Sequence, residues 1–230
     1  MIVAGVDFSI SSPGVVVMVC DDASLDILRC HYKGYTDVLK TKALDKNLDF
    51  YKRATFDSDI RRFDFISQDI TNYIASFNDE KECVYVGIEG YAMGSSKGLV
   101  FNIAEATGML KLKLWNSGYN MRIYDPNSIK KFATGKGNAD KTVMGDFFIA
   151  DESSYKPQLD HLKNYDSPKG DIVDAYWITK LLHTELMIRY GLLDLKTLPL
   201  KSIEIFNQTS KANKENLLCR DFICKESANA

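Results

Sequence analysis

Cysteine and histidine are scarce in this chain. Its 230 residues include five cysteines and three histidines, and the cysteines are scattered, with no Cys-x-x-Cys pair. Disulfide frameworks and structural zinc sites need paired or closely spaced thiols. The sequence therefore argues against both, and against a metal site built mainly from histidine.

Long apolar runs are also missing. No run reaches the roughly 18 residues that a membrane-spanning helix needs. The first residues enter a strand pattern directly, without the basic segment that opens a signal peptide. We therefore expect a cytoplasmic protein. A length of 230 residues and a 45% hydrophobic composition allow it to fold as one domain with appendages.

The chain has no overall excess of positive charge. Its net charge is −2, which argues against a uniformly basic surface for nucleic acid. Residues 90–141 nevertheless hold eight basic and three acidic side chains, a local net charge of +5. Focused charge of this kind suits phosphate binding, although a solvated lysine face would give the same pattern. The eight basic residues are Lys97, Lys111, Lys113, Arg122, Lys130, Lys131, Lys136 and Lys141.

Hydrophobic patterning predicts an α/β fold. Short apolar runs joined by turns predict an antiparallel meander, and a continuous run predicts a central strand covered on both faces. The predicted strands are 2–8, 15–19, 25–32, 83–88 and 121–124. Apolar spacings of three and four residues predict helices, at 57–77, 99–115, 127–133, 139–150 and 171–190. This order predicts a mixed five-stranded sheet, a meander plus parallel strands, with helices on both faces.

Two segments lie outside this scheme. Residues 34–55 are polar and match no element. Residues 207–216 (NQTSKANKEN) are also polar and lack the apolar residues that a core needs. We therefore predict a domain over residues 1–190, followed by a partly flexible C-terminal extension over residues 191–230.

Four acidic residues stand where predicted elements end or begin. Asp7 closes the first strand, Glu89 follows the fourth, and Asp171 and Asp174 open the last helix on one face. These positions can converge at one edge of a sheet. Clustered carboxylates raise one another's pKa, and a divalent cation relieves the repulsion. Oxygen ligands without histidine favour Mg²⁺ or Mn²⁺, and two such ions can act together in phosphodiester hydrolysis.

Three of the four acids also have a purely structural explanation, whereas Glu89, at the end of an apolar run, is harder to explain in this way. Asp7 could simply begin the turn that follows its strand. Asp171 suits the N-cap of the last helix, and Asp174 would then fall at the third position, where an acid favours the helix dipole. A shared metal site accounts for the four acids together better than separate structural explanations do.

Four motifs resemble those of the RuvC-type Holliday junction resolvases, which have an RNase H-like fold. In chain order they are GVD at 5–7, IE at 88–89, KKFATGKGNADK at 130–141 and DIVDA at 171–175. The last two are fairly specific, and the resemblance covers about residues 1–190. It implies a magnesium-dependent endonuclease that resolves four-way DNA junctions as a homodimer.

The resemblance also implies roles for single residues. The four acids would hold two Mg²⁺ ions, which Mn²⁺ could replace, with Asp7 bridging the pair. Lys141 would neutralise charge on the phosphate. Further DNA contacts are expected from Lys130, Lys131, Lys136, Asn138, Tyr91 and Lys97. Asn138 is independently expected to cap the helix that carries Lys141, whose N-terminus favours anions.

Three features depart from the family pattern. The stretch between the first two acids is long, Ala92 occupies a position that is often aromatic, and the C-terminal extension has no counterpart. Tyr91, one residue earlier, either stacks on an unpaired base or belongs to the core. These departures predict a divergent member of viral or phage type, which would act in the host cytoplasm.

Other functions and surfaces remain open from the sequence. The nuclease alternatives are a broader flap or branched-DNA endonuclease and an RNase H acting on RNA–DNA hybrids. A non-catalytic junction-binding protein is an alternative of another class, although clustered acids without a metal would cost stability. The apolar stripe of the helix at 99–115 is a candidate dimer surface, but a buried core helix would carry the same stripe.

Overall fold

A six-stranded mixed sheet forms the centre of the computed structural model, which describes residues 1–78, 83–90, 99–162 and 167–211. The strands are β1 (Ile2–Asp7), β2 (Gly14–Cys20), β3 (Ile27–Thr36), β4 (Leu48–Phe50), β5 (Val84–Glu89) and β6 (Asn120–Tyr124). Their spatial order is β4-β3-β2-β1-β5-β6. Strands β1 to β3 form an antiparallel meander, whereas β1 with β5, β5 with β6 and β3 with β4 pair in parallel.

The predicted α/β class and mixed sheet are confirmed, but the predicted count of five strands is wrong. The sixth strand, β4, lies within residues 34–55, which matched no element. It has three residues and pairs with the end of β3. A segment this short cannot display the alternation of apolar and polar residues that identifies a strand.

Helices cover both faces of the sheet. They are α1 (Leu39–Lys42), α2 (Asp59–Ala75), α3 (Leu99–Asn116), α4 (Pro126–Thr134), α5 (Lys141–Ala150), α6 (Lys169–Arg189) and α7 (Leu200–Lys211). The cores of α2 and α3 pack on one face, and those of α4 to α7 on the other. In the part of the chain that is described, no helix is both long and apolar enough to cross a membrane.

Helix α6 lies unusually close to the middle of the sheet, where β1 and β2 are buried along their whole length. A Cβ atom on Gly5 would come within 2.4 Å of Thr179 Oγ1, and one on Gly14 within 2.3 Å of the Asp171 carbonyl oxygen. Both distances are far below van der Waals contact. Glycine at these two positions therefore sets the distance between the sheet and the start of α6.

The C-terminal extension contains helix α7, which the sequence patterns did not predict. Ile205 and Phe206 are buried in the core that α4 and α6 share, and the Phe206 ring meets the Phe132 ring edge-on at 6.2 Å between centroids. The first part of the extension is therefore packed against the domain. Residues 212–230 lie outside the described residues, and the domain boundary at residue 190 stays a prediction.

Candidate active site

Two of the predicted acids end neighbouring parallel strands. Asp7 is the last residue of β1 and Glu89 the last residue of β5. The residues before them, Val6 and Ile88, are register partners, so the two carboxylates emerge side by side at one edge of the sheet. Asp7 is 8% exposed.

Helix α6 brings the other two acids to the same edge. It begins at Lys169, two residues before the predicted start, so Asp171 is its third residue and Asp174 its sixth. The N-cap is Pro168, which makes no side-chain capping bond. The prediction that Asp171 is the N-cap is therefore wrong, although Asp171 still lies in the first turn of the helix.

The buried carboxylate of Asp171 is held from two sides. The Ser12 hydroxyl donates to Oδ2 at 2.7 Å, and the Lys141 ammonium donates to Oδ1 at 3.2 Å. Ser12 lies in the loop between β1 and β2, and Lys141 is the first residue of α5. Three separate segments thus meet at this one carboxylate.

Burial and mutual repulsion dominate the electrostatics of the four acids. Burial, then the charges of Glu89, Asp171 and Asp174, raise the pKa of Asp7 well above its usual value. Burial and the Asp174 charge raise the pKa of Glu89 to about 7. Burial and the Asp171 charge raise the pKa of Asp174 to about 6, although Lys141 acts in the opposite direction. The structure therefore brings the four acids within electrostatic range of one another.

The donor set fits magnesium. It consists of carboxylate oxygens, which hard divalent cations prefer, and its uncompensated negative charge is what a cation would relieve. Within the four described segments, no group of three or more acidic, histidine or cysteine side chains is drawn together tightly enough to hold a metal ion as it stands. A ready-made cage is not required, because Mg²⁺ keeps several waters and usually takes one or two carboxylates.

Two lysines face the acids. Lys141 is about half exposed. Burial opposes its charged form, but the charges of Asp171, Asp174 and Asp7 outweigh this effect and raise its pKa. Lys130, on α4, lowers the pKa of both Glu89 and Asp174. Both predicted phosphate-contacting lysines are therefore near the carboxylates.

The glycine-rich loop joins α4 to α5. Gly135 ends α4 in the left-handed conformation, with φ of 74°, which favours glycine. The cap of α5 is Asp140, whose carboxylate accepts a hydrogen bond from the Val143 N–H at 2.9 Å. The prediction that Asn138 caps this helix is therefore wrong. Asn138 and Lys136 are both exposed on the loop.

The basic residues of 90–141 do not form one surface. Arg122 is fully buried and paired with Glu185, and Lys113 on α3 pairs with Asp64 on α2, across the sheet from α4 and α5. Lys131 forms an ion pair with Glu204 of α7. The predicted contacts Tyr91 and Lys97 lie outside the described residues.

Sequence reasoning missed the groups that hold the loop after Asp7. The Tyr51 hydroxyl donates to the Ser11 carbonyl at 2.5 Å, and the buried Arg62 guanidinium donates to the Ile10 carbonyl at 2.7 Å. The loop thereby presents Ser12 to Asp171. One signal was present: Arg62 lies four residues before Ile66 on the buried stripe of α2, and an arginine on such a stripe needs a specific partner.

Comparisons with known proteins bear on the family resemblance and on the fold. The profile of the RuvC family, crossover junction endodeoxyribonuclease RuvC, matches residues 48–149. This range contains Glu89, Lys130 and Lys141 but not the other three acids. A search of curated proteins gave no significant match.

Two solved structures share the fold. RuvC from Thermus thermophilus is 18% identical, with a TM-score of 0.52, over 83% of this chain and 97% of its own. The fowlpox virus resolvase, in a complex with substrate Holliday junction DNA, is 16% identical, with a TM-score of 0.50, over 81% of this chain and 99% of its own. The resemblance that the four motifs predict is thus confirmed: the chain is similar to the RuvC-type Holliday junction resolvases, in sequence over residues 48–149 and in its RNase H-like fold.

Proposed function

We propose that this protein is a magnesium-dependent endonuclease that resolves four-way DNA junctions in recombination and repair. The observation that carries the proposal is the convergence of Asp7, Glu89, Asp171 and Asp174 with Lys141 at one edge of an RNase H-like sheet. The profile match to RuvC and the fold shared with a resolvase solved on its junction substrate support the junction as the substrate class.

The four acids would hold the metal. Two Mg²⁺ ions, when bound, supply Lewis-acid stabilisation of the attacking water and the leaving oxygen in a hydrolysis that leaves a 5′-phosphate. Asp7, which lies within electrostatic range of Glu89, Asp171 and Asp174, would be a ligand shared by the site. Ser12 keeps the Asp171 carboxylate oriented, because a neutral hydroxyl donor remains compatible with a cation on the same group.

Lys141 would act on the phosphate. Its ammonium is half exposed while contacting Asp171, so it can reach a DNA phosphate without leaving the cluster. There it would neutralise the charge that develops in the transition state. Lys130, together with Lys136 and Asn138 on the exposed loop, would hold the DNA backbone near the cleaved bond without reading base sequence.

A homodimer would place two such sites on the two-fold symmetric junction. The predicted dimer surface needs correction, because Ala106, Leu110 and Leu114 of the apolar stripe are buried against the sheet. The opposite side of α3 exposes Phe101, Leu112 and Trp115 instead. These three side chains are 74%, 60% and 49% exposed.

We propose this outer face of α3 as the dimer surface. At its centre Gly108 has open space where a Cβ would point, which permits close approach of a second helix. Leu112→Glu should shift the protein to a monomer in analytical ultracentrifugation. Retention of the dimer would move the interface elsewhere.

Cleavage of a labelled synthetic four-way junction tests the function. The wild-type protein with Mg²⁺ should make paired, symmetric nicks, and Asp174→Asn should bind the junction without cutting it. Flap DNA, an RNA–DNA hybrid and linear duplex serve as substrate controls. Preferential cutting of the flap or hybrid would replace the proposal with a related nuclease, and binding without any cutting would leave a junction-binding protein.

A further inference from the structure

The C-terminal helix α7 places a lysine on the glycine-rich loop. Lys201 Nζ lies 3.3 Å from the point that a Cβ atom on Gly135 would occupy, and its Cδ lies at 3.4 Å. Gly135 is the residue that ends α4 and opens the loop towards Lys136 and Lys141. Lys201, which lies outside the predicted domain of residues 1–190, therefore lies against a loop of the candidate site.

The position of Lys201 is fixed by packing around it. Ile205 and Phe206 anchor α7 in the core, with Phe206 against Phe132. Three residues after Lys201, Glu204 forms an ion pair with Lys131 of α4. These contacts join α7 to α4 within five residues after the lysine, so its backbone is held at one place relative to the loop.

Lys201 is available to a ligand. It is exposed, and among the described residues no carboxylate forms an ion pair with its ammonium. Glu204 lies within electrostatic range of Lys201 but forms its ion pair with Lys131. Gly135 lies five positions after Lys130, a helical rise of about 7.5 Å. Lys201 is therefore separated along α4 from the lysine that acts on Glu89 and Asp174.

We propose that α7 is an additional DNA-backbone contact, in which Lys201 and the loop at 135–140 bind a phosphate beyond the one that is cleaved. The proposal rests on the proposed function, since it assumes junction DNA at the carboxylate edge. It assigns Lys131 a different role from Lys201: Lys131 holds α7 in place through Glu204, and Lys201 meets the DNA.

Junction binding as a function of salt tests this contact. The parent protein carries Asp174→Asn, so that DNA is bound but not cut, and Lys201→Ala is added to it. The matched control is Lys196→Ala, an exposed lysine in the same extension that lies before the start of α7. Lys201→Arg, which keeps the charge, serves as the rescue variant.

Removal of one phosphate contact should lower the slope of log K against log salt by about 0.9 and weaken binding about fivefold near 0.15 M salt. Lys201→Ala should show this loss, whereas Lys201→Arg and Lys196→Ala should match the parent. Equal losses in Lys201→Ala and Lys196→Ala, or no loss in either, would overturn the assignment of Lys201. A parent that does not bind the junction at all would instead overturn the proposed function.

Discussion

Helix α6 carries buried acids near both of its ends, and their negative charge is compensated by neighbouring side chains at one end only. Near the C-terminal end, Glu185 receives two hydrogen bonds from Arg122, at 2.9 and 3.0 Å, and one from the Tyr124 hydroxyl at 2.7 Å. Arg189 adds a further one at 2.8 Å. The charge of this carboxylate is compensated within the chain.

The N-terminal end is not balanced in this way. Four acids there share two nearby lysines, and burial and mutual repulsion raise the pKa of three of the acids. A stable fold gains nothing from such an arrangement. The comparison teaches that burial of an acid alone does not make it a candidate functional residue, whereas burial without internal compensation does.

The largest expected effect on stability comes from the compensated end. Glu185→Gln leaves Arg122 buried with a lost ionic partner, which should cost about 3–5 kcal/mol and lower Tm by about 6 °C or more, at 2–4 °C per kcal/mol. Calorimetry measures the shift. The exposed Glu152→Gln is the control and should stay within about 0.5 kcal/mol of wild type; equal Tm values for both variants would show that the network is not a stabilising one.

At the N-terminal end of α6, here called the uncompensated end, removal of an acid should raise the stability of the metal-free protein. Asp7→Asn should reduce junction cleavage by at least about a hundredfold, since even outer-shell partners of metal ligands are worth 10–100-fold. It should at the same time raise the Tm of the metal-free protein, because one repelling charge is removed. The exposed Asp160→Asn should change neither quantity. Loss of Tm together with activity would mean that Asp7 is structural.

The pH dependence of stability tests the uncompensated end. The pKa values of Glu89 and Asp174 rise on folding to about 7 and about 6, so the folded protein binds protons more tightly than the unfolded chain. Their contribution is fully present below the unfolded pKa values, near 4, and is lost as pH rises through about 6 to 7. The Tm of metal-free protein should therefore fall over this interval.

Magnesium should reverse that loss. At pH 7.5 it binds the folded state alone and should raise Tm by a few degrees, at about 2–4 °C per kcal/mol, and the increase should be smaller in Asp7→Asn. Thermal scans with and without Mg²⁺, with equal ionic strength set by KCl, measure the effect. An equal increase in wild type and Asp7→Asn would contradict binding at the four acids.

The smallest effect is expected from the group that orients Asp171. Ser12→Ala removes the 2.7 Å hydrogen bond to Oδ2 and should lower kcat about tenfold and raise the Mg²⁺ concentration needed for half-maximal activity, with little change in junction binding. Ser11→Ala, in the same loop but exposed, is the control. Loss of junction affinity without a change in the Mg²⁺ requirement would indicate a DNA contact instead.

The positions of Asp7 and Glu89 at one edge of the sheet could be predicted, because they depend on local sequence patterns. Asp7 and Glu89 come at the ends of short apolar runs that are typical of buried strands, and the two parallel strands end at one edge of the sheet. The start of α6 was not predictable in the same way. Local capping rules favour Asp171 as the N-cap, but the helix begins earlier, where Lys169 is buried and donates to the Leu162 carbonyl at 2.8 Å.

Tertiary contacts account for the other differences. A sum of charges over residues 90–141 cannot separate the lysines of α3 from those of α4 and α5, because the sheet lies between them. It also cannot reveal that Arg122 is buried with a partner 63 residues away. Helix α7 was missed because its few apolar residues find their partners on α4, far away in sequence.

The contact between Gly14 and α6 bears on how this protein tolerates mutation. Gly14 carries no functional group, yet any side chain there would collide with the Asp171 carbonyl and push the first turn of α6 away from the sheet. Asp171 and Asp174 would move as one unit, while Asp7 and Glu89 would stay on their strands. A substitution at residue 14 should thus move the two pairs of acids apart without changing any of the four acids. The spacing of the candidate site therefore depends on a residue that has no reactive group.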